Sequence, residues 1–215
     1  SVDGGPPGSK DEDGDRFVEI WNLVFMQYLK KENQEQTLLP KPAIDTGMGL
    51  ERISSVLQGK TSSFEIDIFK SLIGGIEELI KVKSNAENIA SFRIIADHLR
   101  SISFLIADGV IPSNEGRGYV LRRIMRRAMR HSHKLGFNKP VLFDLSKLII
   151  NLMDNTYNEL KRAQKLISVT LHNEEDKFLS TLSIGLKILE EESRLLVPCD
   201  IFDGKTAFKL YDTYG

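Results

Sequence analysis

The sequence predicts an α+β fold, the tail of an antiparallel sheet followed by a larger, mostly helical domain, with the junction near residue 60. Three observations carry this. Residues 17–28, "FVEIWNLVFMQY", are rich in aromatic and β-branched side chains and contain no Gly or Pro. A second extended run, "LLPKPAID", follows the polar turn "KKENQEQ". From Met48 onward, apolar residues recur every three or four positions, and they continue to do so to about residue 195.

The first run reads as a strand with Val18, Ile20, Asn22, Val24 and Met26 on one face and Phe17, Glu19, Trp21, Leu23 and Phe25 on the other. Both faces are mostly apolar, which predicts a central strand with Asn22 as a polar intruder. The second run reads as its antiparallel return, and its two prolines imply an edge or an irregular end. "GLERISSVLQ" reads as a short helix, followed by helices in "EIDIFKSLIGGIEELIKVK" and in "NIASFRIIADHLRSISFLIADG", the last closed by a glycine. After the turn "VIPSNEGRG" comes the helical "YVLRRIMRRAMRHSHKLG". Further helices are expected over 141–153 and, charged and very long, over about 155–195. There is no internal repeat. The domain division expected is 1–60 and 61–215.

Composition sets outer bounds. The chain has 215 residues and 41% hydrophobic content, enough for one large or two small cored domains. Its 29 basic and 30 acidic residues nearly cancel, so a nucleic-acid partner has to be read from local clusters. The single Cys199 excludes an internal disulfide, argues against a cysteine-built metal site and fits a reducing, cytoplasmic setting. No apolar run approaches the ~20 residues that cross a bilayer, and no signal-peptide pattern opens the chain, so no membrane partner is expected. The loop-like opening "SVDGGPPGSKDEDGDR" and the abrupt end at "KLYDTYG" read as the limits of an internal piece of a longer protein.

The stretch "DTGMGLERI", residues 45–53, places an acid, two glycines and an arginine on a strand-to-helix turn. Glycines there let a ligand approach the backbone, and the following helix offers amide donors to phosphate. Arg52 suits a phosphate or the face of a purine, and Asp45 suits an ammonium group. Alone, the pattern reads first as an ordinary tight turn carrying a surface arginine. Asn22 alone is equally a buried amide bonded to a turn, and Asp45 a turn or helix-cap acid.

In combination the segments say more. "EIWNLVFMQY", "LPKPAIDTGMGLERI", "RIIADHLRSISFLIADGVIPSNEGRGYVLRRIMRRAMRH" and "FKLYDTYG" resemble, in order and spacing, the alanyl-tRNA synthetases, and the resemblance covers essentially the whole chain. The opening "GGPPGSKDEDGDRF" resembles the bacterial branch. "DTGMGLERI" is similar to the third signature motif of class II aminoacyl-tRNA synthetases, which helps bind ATP. The resemblance implies that residues 1–60 form the C-terminal part of the class II antiparallel sheet of the aminoacylation domain. Residues 61–215 would form the helical domain that recognises the tRNA acceptor stem.

What the resemblance implies for function is a ligase that makes alanyl-adenylate from alanine and ATP with Mg²⁺, then transfers alanine to tRNA(Ala). Asp45 would bind the alanine amino group and Asn22 would orient the same substrate, while Val24 and Gly47 would shape the methyl pocket. Gly49 would admit ATP, and Arg52 would meet its adenine or phosphates. Glu19 would touch Mg²⁺ or ATP, although the period of two puts it on the face opposite Asn22. The first two class II motifs would lie before residue 1, so a preceding catalytic segment is expected to complete the site. The zinc-bearing editing domain would follow residue 215, and no metal is expected within this stretch. The piece alone is expected to be inactive. The reading from another class is a non-catalytic RNA-binding helical module, a synthetase paralogue, against which the joint presence of Asp45, Gly47, Gly49 and Arg52 speaks.

A second candidate site is electrostatic. Arg117, Arg122, Arg123, Arg126, Arg127, Arg130 and Lys134 fall within 18 residues that contain no acid. Leu121, Ile124, Met125, Ala128 and Leu135 make an apolar stripe on the same helix, which predicts a basic ridge turned outward. A solvated charged face is the ordinary use of such a run, and a phosphate backbone is the functional one. By resemblance the helix meets the tRNA acceptor stem, with Arg117, Arg122, Arg123, Arg126 and Arg127 as contacts. Asn114 and Asp212 would read a G·U pair in the shallow minor groove. His131 and His133 are two apart with no cysteine or acid close in sequence, and read as basic-helix residues rather than metal ligands. Asp97, His98 and Arg100 read as helix-to-helix hydrogen-bonding groups, since no nucleophile accompanies them.

Overall fold

The computed structural model describes residues 5, 7–9, 17–194, 196–197 and 200–214, the side chains of Asp212 and Tyr214 excepted. Most of the glycine- and proline-rich opening, Cys199 and Gly215 therefore lie outside the described residues. The fold is α+β. Among the described residues it has one two-stranded antiparallel sheet and seven α-helices, and the chain divides into two compact units, Ser1–Asp67 and Ile68–Gly215.

The first unit holds strands β1 (Trp21–Lys30) and β2 (Gln36–Met48), helix α1 (Leu50–Leu57) and a 3-10 turn at Ser63–Glu65. Trp21 pairs with Met48, Asn22 with Gly47 and Val24 with Asp45. The ladder is regular to Met26–Ala43 and resumes at Tyr28–Leu38, so the extra residues of β2 are pushed out of register. Pro40 and Pro42 lie in that interruption. Without an N–H, a proline has no donor for the ladder, and the irregular return expected from the sequence is located there.

In this chain the faces of β1 that the sequence marks as apolar are uncovered. Every residue of β1 is exposed, Trp21 at 55% and Phe25 at 63%. Among the described residues β1 has a single hydrogen-bonded neighbour, and a two-stranded ribbon covers neither of its own faces. The apolar alternation marks faces suited to burial; it does not supply the layer that buries them. β1 also begins four residues later than expected, at Trp21 rather than Phe17.

The second unit contains α2 (Asp67–Ile80, whose first residue belongs to the preceding unit), α3 (Ile89–Ala107), α4 (Gly116–Lys134), α5 (Leu142–Met153), α6 (Asn158–Ser193) and α7 (Gly204–Tyr214). Helix α3 is its centre, packing on α4, α5 and α6. Phe92, Ile95, Ala96, Leu99, Ile102 and Ile106 of α3 are fully buried, as the three-and-four spacing requires. In α2 the buried set is Phe69, Leu72, Ile76 and Ile80. A Cβ at Gly75 would stand 2.9 Å from Leu148 Cδ1, so the glycine leaves room for that α5 side chain against α2. Beyond α2 the chain is tied back by Glu77, whose carboxylate accepts from Ser84 N–H at 3.0 Å and from Lys83 Nζ at 2.9 Å. The Ser84 hydroxyl bond, with these two, lowers the Glu77 pKa to about 2.

Helices α3 and α4 end in the same way. Gly109 (φ +85°) donates to Ile106 O and Val110 to Leu105 O; Gly136 (φ +99°) donates to His133 O and Phe137 to Ser132 O. These paired bonds satisfy the last carbonyls, and the left-handed residue between them is a position where any Cβ is strained. Helix α5 starts differently. Its first N–H, that of Leu142, is capped by the carboxylate of Glu175 on α6, at 3.0 and 3.3 Å. Glu175 is 2% exposed. Burial pushes its pKa up to about 7, against the opposing effect of the Val141 and Leu142 amides and with help from Asp176 and Asp144. Helix α7 occupies the C-terminal segment, to which the sequence reading assigned no element.

Candidate functional site

Antiparallel pairing brings the two halves of the first candidate site together. Residues directly opposite each other share a face, as do residues two apart, so Asn22, Val24, Asp45 and Gly47 lie on one face of the β1–β2 ribbon. All four are exposed. Asn22 Oδ1 accepts from the Gly47 N–H at 3.0 Å. A Cβ at Gly47 would stand 3.0 Å from that same oxygen, so the absence of a side chain leaves the Asn22 amide room in this position. One Asp45 oxygen, Oδ1, accepts from Thr46 N–H at 3.0 Å, the turn role open to it from sequence.

Glu19 is not opposed to Asn22, and that expectation is corrected. It precedes β1, where strand alternation does not apply, and its Oε1 accepts from Asn22 Nδ2 at 3.2 Å. Its backbone carbonyl accepts from Arg52 Nη1 at 2.8 Å, and the neighbouring Ile20 carbonyl accepts from Gly49 N–H at 3.2 Å. Glu19 thus joins Asn22 on the strand to Arg52 on α1. At Gly49 a Cβ would meet Arg52 Cδ at 3.4 Å, an ordinary contact. The result is a face with an amide, a carboxylate and a guanidinium at its end, open to a small zwitterion and an anion.

The second candidate site is helix α4. Arg123, Arg127, Arg130 and Lys134 are exposed and spaced i, i+4, i+7 and i+11, so they form a single row. The buried residues Gly118, Leu121, Met125, Ala128, Met129 and Ser132 occupy the opposite side. The stripe expected from sequence is shifted, with Ile124 and Leu135 only half-buried and Met129 and Ser132 taking the core positions. Arg117 is exposed near the helix start, and the Arg123 guanidinium lies 5.9 Å from the Tyr119 ring centroid.

Arg122 and Arg126 are half-buried and stand off the row. Arg122 Nε donates to Glu174 Oε2 of α6 at 3.2 Å, and its Nη1 donates to Asn114 Oδ1. Asn114 sits in the turn 110–115, held against α4 because residue 118 is glycine. A Cβ there would meet Ile111 O at 2.4 Å and Ser113 Oγ at 2.3 Å. Neither Glu174 nor Gly118 was singled out from sequence. The glycine inside a helical pattern was a readable signal of close packing; the glutamate, 52 residues from its arginine, gave none. The Asp212 side chain lies outside the described residues.

The histidines serve packing. His131 Nδ1 bonds Ser91 Oγ at 3.0 Å between α4 and α3, and His133 Nδ1 lies 3.3 Å from Phe137 O. Burial first, then the Arg130, Arg127, Lys134 and His98 charges, lower the His131 pKa. Asp97 and His98 pair within α3 at 2.9 Å rather than between helices, and this bond lowers the Asp97 pKa. Arg100 lies 5.1 Å from the Phe69 ring of α2. Among the described residues no group of three His, Cys, Asp or Glu could hold a metal ion, and no helix is long and apolar enough to cross a membrane.

Comparison with known proteins follows the same lines. The sequence pattern of the family described as tRNA synthetases class II (A) matches residues 2–215. An alanine–tRNA ligase of Sinorhizobium medicae is 59% identical over 212 residues, 99% of this chain. One from Caulobacter vibrioides is 57% identical over 214 residues, and one from Rickettsia felis 57% over 212. The chain spans about a quarter of the length of these relatives, 24% in each case. Matched over essentially its whole length, and resembling the alanyl members as its motifs indicated, the chain belongs to the class II (A) tRNA synthetases.

Proposed function

We propose that this chain supplies part of the alanine-activating site and the acceptor-stem recognition surface of an alanine–tRNA ligase. The observation that carries the proposal is the grouping of Asn22, Val24, Asp45 and Gly47 on one ribbon face beside Glu19 and Arg52, in a chain 57–59% identical to bacterial alanine–tRNA ligases. Residues 1–60 serve the adenylation half and residues 61–215 the RNA half. ATP supplies the α-phosphate that the alanine carboxylate attacks, with pyrophosphate leaving, and the alanyl group then passes to the terminal ribose of tRNA(Ala).

The residues at hand fit two anions brought together by charge and position. Asp45 keeps a carboxylate oxygen beyond its Thr46 bond for the alanine ammonium. Asn22, fixed by Gly47 and Glu19, offers its amide to the same substrate, and Val24 with Gly47 bounds a space for one methyl. Arg52 is anchored through one nitrogen and keeps other donors for phosphate or for stacking on adenine. Glu19 fits Mg²⁺ as the single carboxylate that such an ion takes beside phosphate oxygens. On the RNA side, the α4 row meets phosphates, while Asn114 and Asp212 read a G·U pair.

The test is alanine-dependent ATP–pyrophosphate exchange by the full-length protein that carries this chain. Asp45→Asn should lower exchange by roughly 10²-fold or more, the scale of a lost charge contact made at the reacting substrate. Gly47→Ala should raise the KM for alanine by displacing the Asn22 amide. Exchange unchanged in both variants would remove the ribbon face from the activation site.

A further inference from the structure

Among the basic residues between Arg117 and Lys134, Arg122 pairs with a carboxylate of another helix. Its side chain is 25% exposed and meets Glu174, itself 12% exposed, whose other oxygen, Oε1, takes Lys177 at 3.3 Å. The guanidinium is a rigid fork, so fixing Nε on Glu174 fixes the direction of Nη1. That nitrogen meets the Asn114 side chain. Because a guanidinium only donates, the amide must turn its oxygen to Arg122, which leaves Nδ2 as the group facing away.

We propose that Glu174 is a positioning residue for Asn114, acting through Arg122, so that the turn presents an amide donor of fixed direction. The proposal rests on the reading of Asn114 as an RNA contact given above. It assigns that contact the donor role, toward an acceptor such as a pyrimidine O2, a purine N3 or a ribose 2′-oxygen of a minor groove. It also takes Arg122 out of the phosphate-binding set, since its guanidinium is already held by a largely buried carboxylate. A tie that only held α4 to α6 would have no effect on the amide's direction, and its loss would weaken binding of every stem alike.

The experiment uses the 215-residue chain and the variants Glu174→Gln, Arg122→Lys and Asn114→Ala, each first checked for an unchanged helical circular dichroism spectrum. The side-chain amide resonances of Asn114 are followed by ¹⁵N NMR without RNA. Binding is measured to acceptor stem-loops carrying G·U or G·C. With Glu174→Gln the Asn114 amide pair should lose its distinct shifts, and the G·U preference should fall at least ~5-fold. Affinity for the G·C stem should hold or rise, because Arg122 is unmasked and the salt slope steepens by up to ~1. Arg122→Lys, which keeps the charge and loses the fork, should reproduce the first two effects without the third. Amide resonances identical to the parent chain's in both variants would overturn the relay, as would an equal loss of affinity for both stems. If Asn114→Ala keeps the G·U preference, the RNA reading fails, and the amide resonances alone decide whether the relay exists.

Discussion

Replacing Glu175 by Gln should change how the stability of the helical unit depends on pH, and do so in an unusual direction. The carboxylate is 2% exposed, caps the first amide of α5 and has its pKa displaced from 4.5 to about 7, with burial the main cause. The folded state therefore holds the proton more tightly than the unfolded chain. Below pH ~4.5 both states are protonated and the contribution is complete; as pH rises through about 7 it is lost, because ionisation must occur in a buried setting. At ~1.4 kcal/mol per pH unit the displacement corresponds to roughly 3 kcal/mol between pH 4 and 8. Gln keeps an oxygen for the Leu142 N–H and has no proton to lose. Urea unfolding followed at 222 nm, for both proteins at pH 5, 6, 7 and 8, should show the variant gaining on the parent steadily, by about 2–3 kcal/mol over that range. Glu77 and His131, whose pKa values are lowered, contribute stability that falls as pH drops, the opposite sign, and they cancel in the comparison. Two parallel stability curves, a constant gap at every pH, would refute the reasoning.

Gly118→Ala places a methyl 2.4 Å from the Ile111 carbonyl and should cost about 1–3 kcal/mol by the overpacking scale, with the turn 110–115 showing the first loss of amide protection in hydrogen exchange. Arg123→Ala and Arg127→Ala should each lower the slope of log affinity against log salt for an RNA stem by about 1, while Arg122→Ala should leave it nearly unchanged; equal changes for all three would place Arg122 on the phosphate row after all.

The helices were legible in the sequence because their burial pattern is local: Phe92, Ile95, Leu99, Ile102 and Ile106 announce α3 by spacing alone. The glycine at 109 announced where α3 stops. The site on the ribbon was legible as residue types, but its assembly was not, since Asn22 and Gly47 meet only once the hairpin register is known. Glu19 shows the limit of alternation, which fails two residues before the strand begins at Trp21. Glu174 was illegible for a different reason: a long, charged helix offers many carboxylates of equal aspect, and only three-dimensional packing selects the one that reaches α4. The stripe on α4 shifted, with Met129 and Ser132 buried and Ile124 and Leu135 only half-buried, because spacing alone does not say which side of a helix its neighbours cover.

Helix α6 runs 36 residues without interruption, about 54 Å at 1.5 Å per residue. Its first half carries Ile167, Leu171, Glu174 and Glu175, which serve the core, α4 and α5, and it also packs on α7. A helix used in this way acts as a spacer with a fixed thread pitch. Removing one residue from its second half would shorten it by ~1.5 Å and swing everything beyond by about 100°, whereas removing seven restores the angle to within ~20°. Length variation in the second half of this segment should therefore come in whole-turn steps of three to four or seven residues, so that its ends stay in phase.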